Sequence, residues 1–155
     1  MTSSTPAVLQ SPVSRNVQLL LESRVPARLA WVGADGSPLV VPIWFDWHEG
    51  QLSVTTFAGS RKLDDLVDGT VVALTIDTEA FPYRSLRIAG PVTRVPEDGL
   101  SDSYRRSAER YLGATAGRDW CARLEGAEQV RLVISPTRAS ESDMSDAGYL
   151  VDPVG

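Results

Sequence analysis

The sequence contains one cysteine and one histidine in 155 residues. Within one chain, that excludes a disulfide framework and a cysteine-based zinc site, and a reducing cytoplasm is the expected setting. His48 lies in a predicted turn, where exposure is the ordinary reading, and a general base would need an orienting partner that the sequence does not supply. No apolar run reaches the roughly 20 residues needed to cross a bilayer, so no membrane role is expected. Positive charge is also scarce. The 15 Lys and Arg against 20 Asp and Glu leave a net charge of -5, unlike the basic surface that tracks nucleic-acid phosphates. Small molecules remain as the expected partners. With no paired carboxylates, triad or metal cluster in evidence, the pattern identifies no catalytic residue.

What is present suits one domain. A chain of 155 residues with 43% hydrophobic residues supplies one core and is short for two ordinary domains. Residues 1–14 are rich in Ser, Thr and Pro, lack the basic and apolar regions of a signal peptide, and read as a flexible tail. The domain is expected over residues 15–136, with a polar C-terminal tail over 137–155 that is given no element.

Periodicity and turn chemistry divide the domain. Asn16 to Glu22 predicts a short helix that Pro26 ends. Ala27 to Val32 and Pro38 to Trp47 predict strands joined by the Asp35-Gly36 turn. A turn at His48-Glu49-Gly50 leads to Gln51 to Phe57, where Leu52 and Val54 alternate with polar Ser53 and Thr55. Ser60 is read as the N-cap of a helix over Arg61 to Val67. Thr70 to Asp77 is an apolar, β-branched run that suits a strand covered on both faces. Ser85 to Val95 is another strand, and Gly90-Pro91 marks a bulge or barrel corner within it. Leu100, Tyr104, Ala108, Tyr111 and Leu112 follow helical spacing, and Gly113 ends that helix. A short helix over Asp119 to Leu124 and a strand over Glu128 to Ser135 complete the set. The expected fold is mainly β with short helices: a six-stranded antiparallel barrel.

Thr55 to Lys62 is the stretch richest in chemistry. A strand end, a small-residue turn, a helix start and two adjacent cations make an anion site if the free N–H groups and both charges converge. The alternative is that Arg61 and Lys62 are solvated first-turn residues. Asp64 and Asp65 follow closely, and their direction decides whether they oppose an anion. Cys121, beside Trp120 in a helix, reads as a buried small hydrophobe. Trp31, Trp44 and Trp47 lie on strands as core or interface residues, with Trp44 the one that could reach a ligand. Phe81-Pro82-Tyr83 is either a pocket rim or an ordinary packed loop.

Four stretches in order resemble the flavin-binding split-barrel superfamily that contains pyridoxamine 5'-phosphate oxidase. They are Ala34-Asp35-Gly36-Ser37-Pro38-Leu39-Val40-Val41-Pro42-Ile43-Trp44-Phe45, Gly59-Ser60-Arg61-Lys62, Pro82-Tyr83-Arg84-Ser85-Leu86-Arg87-Ile88-Ala89-Gly90-Pro91-Val92, and Arg110-Tyr111-Leu112-Gly113. The resemblance implies a homodimeric split β-barrel in which Ser60, Arg61 and Lys62 hold the phosphate of FMN or the deazaflavin coenzyme F-420. It implies that Val40, Val41, Pro42, Ile43 and Trp44 run along the ring and that Thr55 and Thr56 touch the cofactor. Ser85 and Arg87 line the other side, and the pocket closes when a second subunit packs against it. The implied activity is hydride transfer between the cofactor and a small organic substrate. The alternative is a non-catalytic binder or carrier of a flavin or haem on the same barrel.

Overall fold

Gly36 takes φ +83°, a conformation that glycine adopts freely, and Asp35 Oδ1 accepts from Ser37 N at 2.9 Å. In the computed structural model, which describes residues 4–145, this turn joins β1 (Ala27–Val32) to β2 (Pro38–Ile43). The two strands are antiparallel, with Ala27 opposite Ile43 and Val32 opposite Pro38.

At Trp44 the chain changes sheets. β3 (Phe45–His48) leaves β1 and pairs with β4 (Gln51–Phe57). β5 (Val71–Asp77) then pairs on one side with β1 and on the other with the long β6 (Arg84–Glu97). β7 (Gln129–Ile134) inserts between β4 and the second half of β6, while β8 (Arg138–Asp143) pairs with the first half of β6. The path is therefore β2-β1-β5-β6-β7-β4-β3, with β8 off it on β6. All pairings are antiparallel, and β6 belongs to both halves of a curled, split barrel.

β6 bends where it changes partners. A Cβ on Gly90 would stand 1.9 Å from the Ser135 carbonyl oxygen, so the chain after β7 can cross there only over glycine. The predicted corner is thus a close backbone crossing.

The inward faces of both halves make one core. Leu29, Phe45, Leu52, Leu74, Ile76, Leu86 and Leu132 are fully buried in it, each worth roughly 1.5–3 kcal/mol relative to exposure. Helix α1 (Arg15–Leu21) contributes Val17, Leu20 and Leu21, and Ser14 caps it by accepting from Val17 N at 3.1 Å. Helix α2 (Asp102–Leu112) packs on β3 and β4, and α3 (Ala114–Arg123) packs on α2. Ser101 caps α2 by accepting from Tyr104 N.

Four expectations are corrected. The barrel has eight strands rather than six, because Pro38 to Trp47 splits at Trp44 and the polar residues 138–143 add an edge strand. The helix expected over Arg61 to Val67 is a single 3-10 turn, Arg61–Asp64, since Leu63 and Leu66 pull the segment into the core. Helix α3 begins at Ala114, ahead of the expected Asp119. Within the expected N-terminal tail, Ala7–Leu9 forms a 3-10 turn and Leu9 is buried. Residues 1–3 and 146–155 of the two tails lie outside the described residues. Among the described residues, no helix is long and apolar enough to cross a membrane.

Candidate functional site

The chain leaves β4 at Phe57 and turns at once, with Ser60 N donating to the Phe57 carbonyl at 2.9 Å. The 3-10 turn that follows is anchored inward by Leu63. Lys62 folds back beneath the end of β4, where its Nζ donates to Ser60 Oγ at 2.8 Å and to Thr56 Oγ1 at 3.2 Å. Ser60 therefore holds the lysine instead of capping a helix; its side chain makes no cap hydrogen bond. One 3-10 turn stands in place of an α-helix, so no α-helix terminus is present there to attract an anion. The Lys62 charge remains.

Asp64 is exposed. Asp65 faces away from Lys62, its Oδ2 accepting from Trp31 Nε1 at 3.1 Å and its Oδ1 from Ala34 N at 3.2 Å.

Lys62 stands on a groove with a cavity volume of about 490 Å³. One wall is the β2 end and the crossing to β3: Val41, Pro42, Ile43 and Trp44. The floor is Thr55, Thr56 and Phe57, and the far wall is Tyr104 of α2 and Trp120 of α3, with Pro26 at the edge. Most of these surfaces are apolar or aromatic, with a few polar groups among them, as expected for a site that takes a small organic ligand.

The aromatic side is held rigidly. Trp44 stacks on Tyr111 with ring centroids 5.0 Å apart and planes 6° from parallel, and it meets Tyr104 at 5.9 Å. Trp120 Nε1 donates to the Tyr104 hydroxyl at 2.9 Å. Burial pushes the Tyr104 phenol above its ordinary pKa, opposed by the smaller effect of the Trp120 hydrogen bond. The phenol is therefore protonated at neutral pH. Arg110 braces this side from behind, its guanidinium 4.4 Å from the Phe45 ring centroid and 4.8 Å from that of Tyr111.

The fold brings together seven of the residues expected at a ligand: Val41, Pro42, Ile43, Trp44, Thr55, Thr56 and Lys62 all line the groove. Ser60 lies behind Lys62. Val40, two residues before Pro42 on β2, does not line the groove and is 64% exposed. Arg61 is exposed and has no hydrogen bond or ion pair among the described residues. Ser85 bonds Ser142 Oγ at 2.7 Å on the β6–β8 side, and Arg87 lines a separate cleft with Arg138 and Ser140. Neither reaches the groove of its own chain. His48 does not line it either; its ring sits 3.9 Å from the exposed Glu49 carboxylate.

Sequence reasoning missed Pro26, Phe57, Tyr104 and Trp120. Tyr104 and Trp120 register in the sequence only as aromatic residues in predicted helices, and it is the packing of α2 against α3 that turns them to the groove.

The family model described as pyridoxamine 5'-phosphate oxidase matches residues 13–141. A conserved hypothetical protein from Mycobacterium tuberculosis is similar in structure over 98% of this chain and 97% of its own, with a TM-score of 0.68 and 20% identity. A protein named F-420 reductase is 28% identical with a TM-score of 0.56, over 78% of this chain and 93% of its own. HutZ, the heme storage protein from Vibrio cholerae, is 19% identical with a TM-score of 0.56, over 80% of this chain and 90% of its own. At 20% identity and below, these likenesses are of fold. No curated protein matches the chain in sequence.

Proposed function

The chain belongs to the pyridoxamine 5'-phosphate oxidase family, and from that premise we propose that it binds a phosphorylated flavin or deazaflavin in the Lys62 groove and acts as an oxidoreductase on a small organic substrate. The observation that carries this reading is the pairing of one held ammonium with an apolar, aromatic trough. Lys62 is fixed by Ser60 and Thr56 at the trough, and Pro42, Ile43, Trp44 and Phe57 offer flat apolar surface. That donor set fits a planar ring carrying a phosphate. Lys62 would hold the phosphate, Val41 to Trp44 would support the ring, and Thr55 and Thr56 would supply polar contacts at the strand end.

When bound, such a cofactor supplies the hydride chemistry itself, and the protein supplies binding, orientation and shelter. That division of labour accounts for a groove without an acid–base pair. Lys62 neutralises the phosphate, the stacked Trp44 and Tyr111 resist collapse of the wall, and the apolar lining keeps water from the ring. The family description favours FMN, while the 28% identical F-420 reductase favours a deazaflavin. Both share the ring-ribityl-phosphate layout that the groove would recognise. A cytoplasmic setting, expected from the lone cysteine, belongs to the same proposal.

A second copy of the chain is part of the proposal. The face of the β2-β1-β5-β6-β8 half turned away from the core exposes Val32, Val40 and Val71 at 63%, 64% and 59%, together with Arg87. Burial of that apolar face in a homodimer would also bring the partner's strand to the groove, where Ser85 and Arg87 are expected to contribute.

The test is titration of the purified protein with FMN and with F-420, followed by absorbance, because the two chromophores absorb differently. Saturable binding of either one, then turnover of its reduced form, supports an oxidoreductase. Binding without turnover of any acceptor substitutes a carrier. Binding of neither removes the reading.

A further inference from the structure

We infer that Tyr104 is the groove's ring-reading residue, its phenolic O–H donating a hydrogen bond to an acceptor atom on the planar ring of the bound ligand. The inference rests on the proposed flavin or deazaflavin reading and concerns a residue of α2, outside the β2 strand and the Ser60-Arg61-Lys62 turn.

The geometry leaves the phenol half used. Trp120 Nε1 donates to the Tyr104 oxygen at 2.9 Å, so the oxygen acts there as an acceptor, and its own proton has no acceptor among the described residues. Tyr104 is 9% exposed, and it lines the groove. A hydroxyl at that depth ordinarily finds partners for both of its roles. The missing partner is an acceptor that enters with the ligand.

Packing alone does not require the hydroxyl. Tyr104 meets Trp44 at 5.9 Å and Phe57 at 6.2 Å through its ring, and phenylalanine would make the same contacts. The hydroxyl is held in place by Trp120, whose indole can only donate. A donor to the phenol oxygen polarises the O–H and improves it as a donor in turn. Because burial also keeps the phenol protonated at neutral pH, the groove presents a neutral donor beside the ring-sized apolar wall and a cation at Lys62. The ligand class this selects is a planar ring bearing carbonyl or ring-nitrogen acceptors, joined to an anionic arm.

The two contacts separate experimentally. Isothermal titration would compare wild type, Tyr104→Phe, Trp120→Phe and Lys62→Ala, using FMN against riboflavin and F-420 against its phosphate-free ribityl chromophore. Tyr104→Phe is expected to weaken the phosphorylated and phosphate-free members of a pair by the same factor, about three- to tenfold, as loss of one neutral hydrogen bond does. Trp120→Phe, which removes the polarising donor and keeps the phenol, should give a smaller loss of the same kind. Lys62→Ala should instead weaken only the phosphorylated member. The absorption band of the bound chromophore should shift between wild type and Tyr104→Phe.

Equal affinity and an identical bound spectrum in wild type and Tyr104→Phe would overturn the assignment while leaving the flavin reading intact. No binding of any of the four ligands to wild type would overturn that reading, and this one with it.

Discussion

Trp31 donates its indole N–H to Asp65 Oδ2 at 3.1 Å, and the other oxygen of the same carboxylate accepts from Ala34 N at 3.2 Å. Asp65 thereby ties the turn that carries Lys62 to the β1–β2 hairpin, and its negative charge is spent away from the groove. The acidic residue that follows Lys62 in sequence supports its turn in space.

Asp65→Ala is expected to destabilise the fold by about 1–3 kcal/mol, because the buried Trp31 indole loses its acceptor. Denaturant unfolding should report it as a lower midpoint with an unchanged slope. Loss of stability below about 0.5 kcal/mol would mean that the contact contributes little.

Lys62→Ala is expected to weaken FMN or F-420 by about 1.5–3 kcal/mol, the range of a charge-assisted hydrogen bond, with riboflavin affinity unchanged. Arg61→Ala should cost less, since Arg61 is exposed and Lys62 is fixed on the groove by Ser60 and Thr56. Calorimetric titration of both variants checks the order. Equal, unchanged affinities in both would move the phosphate elsewhere.

Gly90→Ala is expected to destabilise strongly. The added methyl would fall 1.9 Å from the Ser135 carbonyl oxygen, and neither backbone can yield without disturbing β6 or the chain after β7. Overpacking of this kind costs about 1–3 kcal/mol or more, measurable as a fall in Tm.

Cys121 is expected to be dispensable and unreactive. The residue is 3% exposed, clustered with Tyr104 and Ala108, and burial pushes the thiol pKa up, with smaller effects from Arg105, which lowers it, and Glu109, which raises it further. The folded state therefore favours the neutral thiol. Whatever stability this gives is complete below the ordinary thiol pKa and is lost as pH rises through the folded value. Native protein should react slowly with a thiol reagent near neutral pH and rapidly once unfolded, and Cys121→Ala should cost about 1 kcal/mol without loss of ligand affinity.

The proposed homodimer is tested by sedimentation at micromolar concentration. Wild type is expected to be a dimer, and Val40→Asp with Val71→Asp a monomer, because two charges placed on an apolar interface cannot be desolvated cheaply. A monomeric wild type would remove this part of the proposal.

The hairpin at Asp35-Gly36 was legible because a local glycine conformation dictates it, and Gly90-Pro91 marked the corner, although what requires glycine there is the distant Ser135 backbone. The break at Trp44 was not legible. Residues 38–47 keep a strand pattern throughout, and only the arrangement of two half-sheets decides that Ile43 pairs with β1 while Phe45 pairs with β4. The β8 strand was also hidden, because Arg138-Ala139-Ser140-Glu141-Ser142-Asp143 carries no apolar alternation and owes its form to the open edge of β6. For the groove, the residues contributed by β2, β4 and the turn at Lys62 are, Phe57 apart, ones that the family resemblance implied. Tyr104 and Trp120 were not among them, since their position depends on the α2–α3 packing.

Ile134 on β7 lies opposite Leu52 on one side and Val92 on the other, so the strand that joins β4 to β6 is made near the end of the described chain. Neither neighbour can complete its pairing until a long loop has closed, and the entropy of that closure must be met before the contacts reward it. Folding is therefore expected on the slow, millisecond-to-second side of small domains. During synthesis the edges of β4 and β6 stay open until β7 emerges from the ribosome. That interval is when two nascent chains are best able to pair with each other wrongly.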